Sequence, residues 1–248
     1  MSAVKDLLTA LGFLTVLPVP QTAAENREMA GAPRWFMVVG LLIGCLLAPL
    51  ALALYTLLPA GPAAVLVVAA LLAVSGGLHL DGLVDSADGL CSVRERQRML
   101  AIMRDSRIGA MGAIALVMVL ALKMACLAEL HAGQAAVAVF LAPAAGRLAM
   151  LACMVILPYA RPEGGLATLF YPGASLLVLG SNGMVFCLLC LLLLGPGSGL
   201  PLLLSVAVTL LFVRLCRGRL GGATGDTLGA ACELGEAAFL CGLLLLWS

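Results

Sequence analysis

FMVVGLLIGCLLAPLALALYTLL, residues 36–58, runs from end to end without a charged side chain. At a rise of about 1.5 Å per residue, roughly 20 such residues cross the hydrocarbon core of a bilayer. The stretch therefore predicts a membrane-spanning helix. The same texture recurs at 63–78, 109–130, 135–157, 174–194, 201–215 and 233–247. The second, sixth and seventh segments are short, which predicts helices that stop at a cavity or continue into polar ends. Over all 248 residues the chain is 63% hydrophobic and 11% charged, with a mean hydropathy of +1.14, outside the range of soluble domains. The predicted fold class is an all-α polytopic membrane protein, a single integral membrane domain over residues 1–248 with about seven transmembrane helices.

The first twenty residues, MSAVKDLLTALGFLTVLPVP, break at Pro18 and Pro20 and lack a small-residue cleavage site. They read as a retained interfacial or re-entrant helix rather than a secretory signal. A net charge of +1 gives no basic excess for nucleic acid. Of the nine cysteines, Cys45, Cys126, Cys153, Cys187, Cys190, Cys232 and Cys241 sit within apolar stretches and read as free of any C-x-x-C pair; most read as small core hydrophobes, not as a disulfide framework or a zinc site. The connections at 59–62, 131–134 and 195–200 carry no lysine or arginine, whereas 1–35, 79–108, 158–173 and 214–232 hold nearly all of them. By the positive-inside rule the second set is cytoplasmic, which puts the amino terminus inside and the carboxyl terminus outside.

The charges cluster, and the clusters carry the chemistry. GLHLDGLVDSADGL, residues 77–90, sets Asp81, Asp85 and Asp88 four and three residues apart. On a helix they fall at about 0°, 40° and −20°, one stripe of mutually repelling carboxylates. A divalent cation removes that repulsion, and an all-oxygen set suits magnesium, manganese or calcium better than zinc. Gly82 and Gly89 leave bare backbone beside two of the carboxylates, where a phosphate-bearing ligand could approach. His79 is a candidate to ligate metal or orient a substrate group. In MRDSRIG, residues 103–109, Arg104 and Arg107 are suited to phosphate, Asp105 offers a fourth metal oxygen, and Ser106 lies between.

A second acidic stripe lies in RGRLGGATGDTLGAACELGE, residues 217–236, where Asp226 and Glu233 share a helix face about 20° wide. Thr224, Gly225 and Thr227 add hydroxyls and open backbone for a substrate. Two acidic stripes are what a metal–pyrophosphate clamp requires; the Walker lysine is missing, so ATP hydrolysis has no support. Arg147 sits inside the fourth span, a costly location that implies a cavity. Tyr159, Arg161 and Glu163 lie on the loop that follows. Lys123 and Glu129, on the third span, read as snorkelling toward the interfaces.

Taken in order, LHLDGLVDSADG, MRDSRIG, YARPEG and GGATGDTLGAACELGE, with the opening TVLPVP and FMVVGLLIG, resemble the cobalamin synthase family, adenosylcobinamide-GDP ribazoletransferase. The resemblance covers essentially the whole chain. It implies an enzyme of the prokaryotic inner membrane, multi-pass, with its amino terminus and active site cytoplasmic. The implied substrates are adenosylcobinamide-GDP and α-ribazole or its 5′-phosphate, with magnesium as cofactor and GMP as leaving group. The implied metal and pyrophosphate residues are Asp81, Asp85 and Asp88, with Asp85 or Asp88 as general base. Arg104 and Arg107 would stabilise phosphate charge, while Asp105, Asp226 and Glu233 complete metal or nucleoside contacts. A homo-oligomer or a B12 assembly complex is compatible with it. Two rival classes share the acidic stripe: CDP-alcohol phosphotransferases, whose stripe is spaced differently, and cation-coupled transporters, which favour carboxylates near the bilayer midplane.

Overall fold

The structure is a computed structural model in which residues 3–19 and 26–248 are described, the side chains of 26–28 excepted. Among the described residues it is helical, with no strand beyond one isolated bridge. The helices are α1 (Ala3–Leu14), α2 (Asn26–Gly31), α3 (Phe36–Leu57), α4 (Ala60–Ser75), α5 (Leu78–Cys91), α6 (Arg96–Ile102), α7 (Ala110–Ala128), α8 (Ala132–Ile156), α9 (Leu176–Leu194), α10 (Gly199–Leu220) and α11 (Gly225–Trp247). α1 ends before Pro18; Pro20 lies outside the described residues.

By length and composition, five helical stretches among the described residues are able to cross a membrane, or six if the bent pair α4 and α5 counts as one. One of the five is the whole of Leu176–Leu220, which comprises α9, a short turn over Gly195–Ser198 and α10. Leu179 and Leu210 line one groove with Ala145 to Ile156 of α8. In a straight helix they would stand roughly 46 Å apart, so the chain folds back at the glycine–proline turn. Two predicted spans are longer than expected. α10 runs on to Leu220 and α11 begins at Gly225, so the Gly-rich acidic stretch is the first third of a helix and not a loop before it.

α8 and α11 are the inner helices, with 72% and 78% of their most apolar windows buried against 17% for Leu176–Leu220. α3 meets α8 through GLLIG, a small-xxx-small pattern. A Cβ on Gly44 would stand 2.2 Å from the Phe140 carbonyl oxygen, and one on Gly40 would stand 2.6 Å from that of Pro143. Only glycine permits that approach. Gly44→Val should cost about 3 kcal/mol by forcing the helices apart, read as a lowered thermal midpoint in detergent.

Arginines fasten neighbouring helix ends to one another. Arg96 donates to the carbonyls of Leu220 (2.6 Å) and Ala160 (2.6 Å), Arg219 to those of Leu90 (3.1 Å) and Ser92 (2.7 Å), and Arg217 to that of Ile156 (3.0 Å). The Leu220, Leu90 and Ile156 carbonyls are among those that a helix carboxyl end leaves unpaired. The nine cysteines are free; Cys45, Cys91 and Cys187 are exposed, contrary to the core placement predicted for Cys45 and Cys187. Cys187 and Cys190 do form a C-x-x-C spacing on α9, with Cys187 exposed and Cys190 buried.

Candidate active site

Two consecutive left-handed glycines, Gly76 (φ 62°) and Gly77 (φ 73°), turn the chain by 92° between α4 and α5. α5 then lies backbone to backbone on the start of α11. A Cβ on Gly82 would come within 2.6 Å of the Asp226 carbonyl oxygen, and one on Gly229 within 3.1 Å of that of His79. The Cβ position of Gly82 is therefore taken up by the α11 backbone. Gly89 is likewise filled, by the Met103 side chain at 2.5 Å.

Thr224 caps α11. Its hydroxyl accepts from the Thr227 amide (3.2 Å), and the Thr227 hydroxyl accepts from the Thr224 amide (2.8 Å). Both side chains are fully buried, which makes them capping groups rather than the substrate contacts expected of them. The turn ahead of the cap pairs with the connection after α8: the Ala223 amide donates to Pro158 (2.8 Å) and the Ala160 amide to Ala223 (2.7 Å). That short ladder delivers Arg161 onto Asp226, Nη2 to Oδ2 at 2.6 Å. The Thr224 hydroxyl donates to the same oxygen at 3.2 Å.

These segments enclose a cleft of about 890 Å³, counting its open mouth. One wall is polar: His79, Asp81, Gly82, Arg161, Gly225 and Asp226. The other is apolar, built by Phe13, Phe36, Phe170, Met150 and Met154. Phe13 stacks on Phe170 with centroids 4.3 Å apart, and Phe36 lies 5.9 Å from Phe170. The polar wall was expected from sequence; the aromatic floor was not, because its members come from α1, α3 and the 3₁₀ turn Leu166–Gly173 and meet only in the fold. His79 is 2% exposed and neither ring nitrogen has a partner among the described residues.

The remaining predicted residues divide into three groups. Asp85, one turn along α5, has Asp81, Asp88, Asp226 and Arg161 as charged neighbours. Asp88 instead caps α7, accepting the Gly109 amide (2.7 Å) and the Gly112 amide (2.8 Å) on its two oxygens. Asp88→Ala should cost about 1–2 kcal/mol through loss of that cap, visible as earlier thermal unfolding. At the rim, Arg104 pairs with Glu163, both half-exposed. Arg107 pairs with Asp105 at 2.6 Å, and this contact holds the exposed Asp105 carboxyl down to about 2. Ser106 is exposed on the same loop. Asp105 thus serves Arg107 rather than the α5 stripe.

Three predictions are corrected outright. Glu233 does not join Asp226 at the cleft, because two turns of helix, roughly 10 Å, separate them. It lies instead in a buried quartet. Lys123 Nζ reaches Glu233 Oε2 at 2.5 Å and Glu236 Oε1 at 2.8 Å, and Arg147 Nη1 lies 3.4 Å from Glu236 Oε2. Lys123, expected to snorkel, is 3% exposed, and so is Arg147. Two cations and two carboxylates cancel here, deep among apolar helices. Arg147 answers Glu236 and not a substrate.

Among the described residues, no three His, Cys, Asp or Glu side chains converge as a ready-made metal cage. Asp81, Asp85 and Asp226 nevertheless face a region with a single arginine as counter-charge. Such a donor set fits a hard divalent cation that completes its shell with phosphate oxygens of a ligand.

Comparison with known proteins places the whole chain in a family. The sequence model of the family described as cobalamin-5-phosphate synthase matches residues 6–244. A protein of Desulforamulus reducens named adenosylcobinamide-GDP ribazoletransferase is 42% identical, over 97% of this chain and 96% of its own. Proteins of the same name from Acetivibrio thermocellus (38%, over 97% of each chain) and Roseiflexus sp. (43%, over 95% of this chain and 88% of its own) are also similar. No solved structure matches. With the family model matched over residues 6–244 and 42% identity over 97% of the chain, the chain belongs to the cobalamin-5-phosphate synthase family.

Proposed function

We propose that this protein joins the two halves of a cobamide at the cleft: a ribose hydroxyl of α-ribazole, or of its 5′-phosphate, attacks the phosphorus bonded to cobinamide in adenosylcobinamide-GDP. A new P–O bond forms to the ribose, the pyrophosphate P–O bond breaks with its electron pair passing to GMP, and the hydroxyl proton passes to a carboxylate. The observation that carries this reading is the cleft's two-sidedness. Asp81, Asp226 and Arg161 face an aromatic and methionine floor, the chemistry needed to hold a phosphate against an apolar ring system. The relatives' names supply the substrates.

Catalysis of such a transfer is mainly positioning and charge neutralisation. Asp81, Asp85 and Asp226 would hold magnesium, which neutralises phosphate charge when bound. Asp85, beside the cleft, is the general base. Arg161 is the cation aimed at the phosphates, and Arg104 with Glu163 closes the rim. The cleft faces the cytoplasm of a prokaryotic inner membrane, because the arginine-rich connections gather at its end of the bundle. With α9 and α10 as separate spans, and α4 with α5 as one, the chain crosses seven times.

The test uses purified protein in lipid with adenosylcobinamide-GDP and α-ribazole, with and without magnesium, following GMP and the corrinoid product by mass. Magnesium-dependent appearance of both is expected. Absence of both from folded protein, with CMP release from a CDP-alcohol, would transfer the assignment to that phosphotransferase class.

A further inference from the structure

His79 is the feature of the cleft that the fold leaves unexplained. A buried imidazole ordinarily has at least one nitrogen bonded, yet here both are unpartnered and the side chain is 2% exposed. Its backbone is pinned against Gly229, with 3.1 Å between the His79 carbonyl oxygen and a Cβ at that position. His79 lines the same cleft as the Phe13, Phe36 and Phe170 floor on one side and Asp81, Arg161 and Asp226 on the other.

Resting on the function proposed above, we infer that the cleft interior is the nucleoside subsite, in which His79 donates a hydrogen bond to the unsubstituted ring nitrogen of a fused, apolar aromatic base. Three observations converge on that ligand class. The floor of phenylalanines and methionines offers flat apolar contact and no hydrogen-bond donors, so it suits a base without exocyclic amines or carbonyls. A neutral imidazole has one N–H to give, and such a base, once joined to ribose, has one ring nitrogen to receive it. The enclosed space of about 270 Å³ within the cleft suits a nucleoside, whereas a corrin macrocycle with its side chains is several times larger and must remain at the mouth. A base seated on the floor directs its ribose toward Asp81, Arg161 and Asp226. His79 is then a binding residue that orients the acceptor without taking part in proton transfer.

The test is a two-by-two comparison in reconstituted protein. Equilibrium dialysis measures the Kd, and steady-state assay the KM, of α-ribazole and of its analogue with C–H in place of the unsubstituted ring nitrogen, for wild type and His79→Ala. Loss of one buried hydrogen bond should weaken binding about tenfold. Wild type should therefore bind the analogue about tenfold more weakly than α-ribazole, while His79→Ala binds both with the same weakened affinity. KM for adenosylcobinamide-GDP should not move. His79→Gln, which retains a donor, should recover part of the difference and guards against a variant that fails to fold. A structural role alone would not depend on the ring nitrogen. Equal tenfold penalties in wild type and His79→Ala would overturn the inference while leaving the transfer reaction intact. A wild type that binds and converts no α-ribazole would overturn both.

Discussion

Asp81→Asn should lower kcat by about a thousandfold while leaving thermal stability unchanged or slightly raised. Asp81 lines the cleft, is exposed, and its carboxylate makes no hydrogen bond or ion pair among the described residues. Nothing structural is lost with its charge. Its nearest effect on the protein is repulsion of Asp85, and removing a like charge at i,i+4 relieves a few tenths of a kcal/mol. Catalysis is another matter, since groups that neutralise charge in a phosphoryl transfer are commonly worth 10²–10⁴ in rate. The pairing of outcomes is the informative part. Asp226→Asn should also abolish turnover, but with a destabilised loop, because Asp226 anchors Arg161 and the Thr224 hydroxyl. Measurement of kcat alongside unfolding midpoints for both variants separates the roles, and full turnover by Asp81→Asn would remove the cleft from the mechanism.

The largest stability effect should come from Lys123→Met. Lys123 holds two carboxylates at 2.5 and 2.8 Å, with all four members of the quartet buried. Removal of one partner from a buried ion network leaves uncompensated charge and costs about 3–5 kcal/mol. Arg147 remains on Glu236 at 3.4 Å, but Glu233 then has no cation. Adding Glu233→Gln to Lys123→Met should restore much of the loss, because one cation and one carboxylate remain. Chemical or thermal unfolding in a fixed detergent measures both; a single variant as stable as the parent would mean that the quartet is hydrated in the membrane. The quartet connects α7, α8 and α11, and α5 packs on α11, so its rupture should also loosen the α5–α11 crossing that seats His79.

Much of this was legible in residue order alone. Helical spans, the Asp81–Asp85–Asp88 stripe and the grouping of YARPEG with GGATGD at one end of the bundle follow from composition, periodicity and charge, which are local properties. What each carboxylate does within its stripe was not legible. Asp85 and Asp88 share a helical face by periodicity, yet Asp88 is spent on capping α7 and Asp85 is not. Asp226 and Glu233 share one too, yet Arg161 claims the first and Lys123 the second.

The same holds for the glycines. Gly40 and Gly44 show their spacing in the sequence, but which helix approaches them depends on α8 being there. The sequence by itself determined the solvent this chain lives in, its helices, and which end of them carries the chemistry, because hydropathy and helical period act over one or two turns. Only the tertiary structure decided that Asp81, Asp226 and Arg161 face an aromatic floor while Glu233 turns inward. Those partners come from helices distant in sequence, and in a low-dielectric interior each charge takes the nearest counter-charge that packing delivers.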